Sequence, residues 1–165
     1  AQLSRGLGDV YKRQTKIPNA VLHTNDSNRF EARHVNLKVN SSNKSFFLDK
    51  YETDQVLAIP NAHAEGKLIL DKDKLTEIES NNQVAFRYCN SEGSLEAGYP
   101  WNPNGAPNDI AGITNSRGNV LGMMPHPERV FHGWQHTDWT STGKNPEGPG
   151  DGRALFEGVV EFLCK

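Results

Sequence analysis

Period-two alternation of apolar residues dominates this chain, and helical spacing is confined to two short stretches. Val35, Leu37 and Val39 alternate with polar neighbours, the pattern of a strand with one buried face. Residues 56–59 and 68–70 are short apolar runs that bracket a polar stretch, residues 60–66, which reads as a loop. Residues 83–88 return to strand, and residues 90–93 have the chemistry of a hairpin turn. Residues 110–114 and 120–124 form two further strands joined at Asn115, Ser116, Arg117 and Gly118, a second hairpin signal. Helical spacing appears over residues 73–79, ended by Asn81 and Asn82. It returns in a closing helix with Leu155, Phe156, Val159 and Phe162 or Leu163 on one face, which Asp151 is expected to cap. Residues 132–152 read as a long, polar surface loop. The tally is about six or seven strands against two helices. An α/β domain needs more crossover helices than that. The chain is therefore either a mostly β domain or the strand-rich part of a domain whose helices lie upstream.

Composition narrows the setting. Of 165 residues, 35% are hydrophobic, while Gly and Pro number 15 and 9, so the fold is loop-rich or incomplete. Net charge is -2 and no basic stripe runs along the chain, which argues against nucleic acid as a partner. No apolar run approaches the roughly 18 residues of a membrane span. Two cysteines are too few for a secreted disulfide scaffold, so a cytoplasmic location is expected. Residues 1–14 have neither period and read as a non-native, adaptor-like leader, leaving residues 15–165 as the domain.

The segment with most chemistry runs from Val120 to Arg129. A strand ends at Met124, and Pro125 and Pro127 then remove two backbone donors and force a loop. Residues before proline are pushed towards extended backbone, in which side chains two apart project to the same side. His126 and Glu128 are thus set to meet. A histidine titrating near neutrality and held by a carboxylate is a general base paired with its orienting acid, two parts of a nucleophilic triad. The same four residues also suit a plain stiff surface turn. The third part, a nucleophile on a tight strand-to-helix turn, is missing. Cys89 ends a strand, Cys164 is penultimate, and no serine lies in a Gly-x-Ser-x-Gly turn.

Five stretches in order carry a family resemblance: residues 25–33 (NDSNRFEAR), 62–66 (AHAEG), 99–105 (YPWNPNG), 110–113 (IAGI) and 124–129 (MPHPER). They resemble the glutaminase subunit, or C-terminal glutaminase domain, of phosphoribosylformylglycinamidine synthases, which are class I glutamine amidotransferases. The resemblance implies an α/β, flavodoxin-like domain, present here as its strand-rich C-terminal portion. It implies a Cys-His-Glu triad in which His126 and Glu128 match the last two members. The family's cysteine sits on a Gly-x-Cys-x-Gly elbow upstream of the Asn25 stretch, where this chain carries the leader, so the chain alone is expected to be inactive. Glutamine would be hydrolysed to glutamate, and the ammonia passed to a synthase subunit or domain that uses ATP and Mg to amidate formylglycinamide ribonucleotide in purine synthesis. No cofactor is implied for this chain itself. The chain departs from the usual pattern at Asn28 and Ala64, often glycine in the family, and at Trp101, often alanine.

Other residues remain open at this level. His63 and Glu65 either line the substrate or partner site or are plain loop surface. Asn104 either takes part in binding or serves the turn chemistry of Asn102-Pro103-Asn104-Gly105. His132, His136 and Asp138 have zinc-like spacing, but two tryptophans and the lack of a second ligand cluster favour aromatic packing. A non-catalytic β-rich module docking on a larger synthase is the competing reading of the whole chain.

Overall fold

The computed structural model describes residues 20–96, 98–143 and 145–165. The leader expected at residues 1–14 lies outside them. Among the described residues, seven strands form two antiparallel sheets. β1 (Ala20–His23) pairs with β4 (Lys67–Leu70) in a small ribbon. The main sheet has the order β3-β2-β5-β6-β7, built from β2 (Glu31–Val39), β3 (Val56–His63), β5 (Val84–Cys89), β6 (Ile110–Thr114) and β7 (Leu121–Met123). One helix, α1 (Lys72–Ser80), follows β4, and two more, α2 (Trp139–Thr142) and α3 (Arg153–Leu163), come after β7.

The alternation of β2 forms the core as expected. Val35, Leu37 and Val39 are buried with Leu57 and Ile59 of β3, Phe86 and Tyr88 of β5, and Val130 and Leu155 from beyond the sheet. Tyr51 meets Phe86 edge-on, with ring centroids 6.2 Å apart, a geometry favoured by the ring quadrupoles. A second cluster of Ile78, Val84 and Ile110 gathers Leu68, Leu70 and Leu75, which seats α1. Val84 and Phe86 are two apart yet serve different clusters. The pairing of β5 with β6 is irregular between them, and such an irregularity resets the alternation.

Four local expectations change. Residues 60–66 are not a loop throughout, because β3 continues to His63 with Pro60 opposite His34. β3 lies at the edge of the sheet, where a proline's missing N–H deprives no neighbouring strand of a bond. Residues 90–93 do turn, with Gly93 N donating to Asn90 O at 3.1 Å, but no hairpin follows. The chain makes a long excursion before β6 returns beside β5. Buried Asp109 organises that excursion by accepting from Glu96 N at 2.6 Å and Asn102 Nδ2 at 2.8 Å. Residues 132–152 are less a loop than expected. They hold a 3-10 turn at Gly133–Gln135, α2, and a bridge from His132 to Pro149. Finally, Gly152 and not Asp151 caps α3. The Asp151 carboxylate instead accepts from Ala58 N of β3 at 2.8 Å.

The hairpin between β6 and β7 forms as expected, with Gly118 at φ 68° and Asn115 Oδ1 accepting from Asn119 N and Val120 N. On α3, Leu155 is buried, but Phe162 is half-exposed and stacks on Phe46 at 4.1 Å. Among the described residues no helix is long and apolar enough to cross a membrane.

Candidate active site

The end of β7 is pinned before the site begins: Met124 N donates to Ala111 O at 3.0 Å. Pro125 and Pro127 are both buried. Between them His126 N donates to Pro60 O of β3 at 2.7 Å. Pro127–Val130 then forms a 3-10 turn ending on fully buried Val130. Gly152 passes so close that a Cβ there would lie 2.0 Å from Pro127 O. The His126 backbone is therefore held from two sides.

His126 Nδ1 lies 2.7 Å from Glu128 Oε1. A carboxylate only accepts, so Nδ1 carries the proton and Nε2 keeps its lone pair. This is the protonation pattern of a general base. The contact arises differently from the extended alternation expected. His126 stands at φ -105°, ψ 87° and Glu128 lies in the first turn after it, so a tightening turn brings the two together. Arg129 Nε sits 3.8 Å from the same carboxylate oxygen. His126 is one-quarter exposed and Glu128 about half, which leaves the pair within reach of a substrate.

His63, at the last position of β3, joins this site. Its ring stacks on that of His126 with centroids 4.8 Å apart and planes within 12°. His63 Nε2 donates to Met124 O. Burial holds its pKa below the usual histidine value, opposed by the bond to Met124 and reinforced by the nearby His126 and Arg129. Glu65 is exposed and has no hydrogen-bond or ion-pair partner among the described residues. Asn104 is fully buried. Its Oδ1 accepts from Asn61 Nδ2 at 3.1 Å and from the Tyr88 hydroxyl at 3.4 Å. Asn104 lies directly beneath Gly66, where a Cβ would come within 1.4 Å of its Nδ2.

Sequence reasoning missed the residue that ties these parts together. Asn25 is buried; its Nδ2 donates to His63 O at 2.6 Å and Arg29 O at 2.9 Å, and its Oδ1 accepts from Gly66 N at 3.0 Å. Its membership of the first resembling stretch was the available signal. All five stretches converge here: Asn25 binds the second, Asn104 of the third packs on Gly66 of the second, and Ala111 of the fourth holds Met124 of the fifth. Asn28, where the family often has glycine, adopts φ 53°, a left-handed conformation that asparagine tolerates better than most residues.

Neither cysteine completes the triad. Cys89 is buried in β5 and its thiol is pushed up to about 11 by burial, so almost no thiolate exists at neutral pH. Cys164 is exposed at the end of α3. The histidines with zinc-like spacing have other neighbours: His132 stacks on Trp134 at 5.9 Å, and His136 is buried with Nε2 3.3 Å from Asp151 Oδ1. Among the described residues, no group of three or more His, Cys, Asp or Glu has the arrangement of a metal site.

A histidine held by a glutamate at a strand's end has the arrangement of a general base with its orienting acid. The chain belongs to the CobB/CobQ-like glutamine amidotransferase domain family, whose sequence profile matches residues 6–163. Within that family it is similar to the phosphoribosylformylglycinamidine synthase subunit PurQ of Archaeoglobus fulgidus, at 45% identity over 95% of this chain and 56% of that protein. The subunit of the same name from Picrophilus torridus is 41% identical over 81% of this chain and 51% of its own length. Among solved structures, PurLQS from Thermotoga maritima aligns with 88% of this chain and 54% of its own, at 27% identity and a TM-score of 0.62. The chain spans about half the length of the relatives it matches. The expected α/β, flavodoxin-like class agrees with these relatives, and the antiparallel sheet is the strand-rich part that these residues supply.

Proposed function

We propose that this chain carries the proton-transfer half of a glutaminase site and serves a phosphoribosylformylglycinamidine synthase. The 2.7 Å contact between His126 Nδ1 and Glu128 Oε1 is the observation that carries the reading. On this reading a cysteine thiol from outside these 165 residues lies against His126 Nε2. His126 takes the thiol proton as sulfur attacks the side-chain carbonyl of glutamine. It returns that proton to the departing nitrogen, which leaves as ammonia. Water, deprotonated by the same nitrogen, then cleaves the thioester to glutamate. Glu128 fixes the tautomer and stabilises the imidazolium.

The ammonia would pass to a synthase partner, which would use ATP and Mg to activate formylglycinamide ribonucleotide. The PurLQS neighbour, a complex by its name, supports such a partner. A cytoplasmic location fits that chemistry. The test is to combine the chain with the part of the Archaeoglobus relative that it does not cover, and to follow glutamate release from glutamine. Activity that disappears in His126→Ala is expected. Activity unchanged by that substitution would defeat the proposal. A complex that docks on the synthase but releases no glutamate would favour the non-catalytic module.

A further inference from the structure

We propose that His63 is the positioning residue of His126: a neutral imidazole that braces the general base and leaves it free to become the charged one. The inference rests on the reading of His126 as the proton carrier and assigns that site a third member.

Three observations point to it. First, the two rings are nearly parallel at 4.8 Å, so His63 forms a wall against one face of His126. Rotation of His126 away from Glu128 would have to break this stack. Second, the contacts are reciprocal. The backbone of His126 hangs from Pro60 O of β3, and the side chain of His63, three residues along the same strand, grips Met124 O just before His126. Strand and loop are thus fastened at two points around the reacting ring. Third, the grip selects a tautomer. Met124 O only accepts, so the His63 proton resides on Nε2 and the ring needs no second proton to hold its place.

Charge makes neutrality matter. His126 must become an imidazolium during each proton transfer. A second cation stacked on it would oppose that step, whereas a neutral ring does not. The groups around His63 act accordingly. His126 and Arg129 disfavour its protonation and Glu128 favours it, with burial the largest influence. Glu31 lies opposite His63 in the β2–β3 register but is committed to Arg33 at 2.6 Å.

The experiment is a histidine titration by nuclear magnetic resonance on the 165-residue chain, wild type and two variants, with amide spectra as the check on folding. It needs no glutaminase activity. In the wild type, the His63 ring should show the Nε2–H tautomer, ring-to-ring contacts with His126, and a midpoint below that of a free histidine. His63→Arg keeps a planar group able to stack and to reach Met124 O but makes the charge permanent. It should lower the His126 midpoint by about half a pH unit or more, roughly a threefold loss of proton affinity. His63→Ala should broaden or abolish the His126 Nδ1–H resonance by releasing the ring from Glu128. An unchanged His126 midpoint in His63→Arg, together with an unchanged Nδ1–H signal in His63→Ala, would overturn the proposal. Should either variant not fold, the wild-type spectra decide: an Nδ1–H tautomer at His63, or no contact between the rings, overturns it. If instead wild-type His126 lacks the Nδ1–H bond to Glu128, the catalytic reading fails and not the bracing alone.

Discussion

Among the described residues, His126 with Glu128 and His136 with Asp151 both bring an imidazole near a carboxylate, in opposite surroundings. His126 and Glu128 are two residues apart, 2.7 Å from each other, and partly exposed. His136 and Asp151 are 15 residues apart; the carboxylate lies 3.3 Å from Nε2 of the almost wholly buried ring, and that nitrogen also accepts from Asp151 N at 3.4 Å. In the second pair the carboxylate also accepts from Ala58 N, so it ties the segment between the two residues to edge strand β3. On the proposed reading, the second ring nitrogen of the first pair is left for a substrate. On the proposed reading the exposed pair carries a proton while the buried one is a fastener, because charge transfer needs solvent or substrate contact whereas a fastener benefits from their exclusion.

The sharpest test breaks the exposed pair. In the chain completed as described above, His126→Ala should reduce glutamate release by about 10²–10⁴-fold or more, since general acid–base catalysis typically supplies that much. Glu128→Gln should lower the rate while shifting the thermal stability by less than about 0.5 kcal/mol, because exposed charges contribute little. A large loss of stability in Glu128→Gln would erase the contrast between the pairs.

Next in size is the buried pair. Asp151→Ala should destabilise the chain by about 1–3 kcal/mol in denaturant unfolding, as Ala58 N is left without its acceptor. Asp151→Ala behaving like Glu128→Gln would show that burial does not separate the two pairs. Gly66→Ala should cost a similar amount, about 1–3 kcal/mol, because its Cβ overlaps Asn104. Since Asn104 and Asn25 meet at that glycine, the same variant should also disturb the His63 resonances. A neutral effect there would detach the asparagine framework from the site.

The smallest effect concerns pH. The pKa of His63 is lowered in the folded chain from the ordinary 6.5. Its contribution is present in full above about pH 6.5 and fades as pH falls through the lower folded value, because the unfolded chain takes up the proton first. A wild-type stability curve that declines slightly more below about pH 6.5 than that of His63→Asn is expected from urea midpoints. Identical curves would remove the case for a depressed His63.

Much of the sheet was legible because its causes are local. The alternation at Val35, Leu37 and Val39, the Asn115–Gly118 turn and the helix near residue 75 each depend on neighbours within a few positions. The pairing of His126 with Glu128 was legible too, although a turn and not an extended segment produces it. What local pattern hid was everything made by distant partners. Pro60 looked like a loop residue because nothing in its neighbourhood says that β3 lies at an edge. Asp151 looked like a helix cap because Ala58, its partner, stands 93 residues earlier.

The sequence by itself therefore determined most of the segments that extend, the Asn115–Gly118 turn, and which histidine meets an acid two residues away. Tertiary structure alone decided that His63, 61 residues from Met124, would bond that residue's carbonyl and stack on His126, and that Asn25, Asn61 and Asn104 would be buried framework. Side chains within a turn of each other are constrained by backbone geometry, whereas distant ones meet only where burying apolar surface closes the chain upon itself.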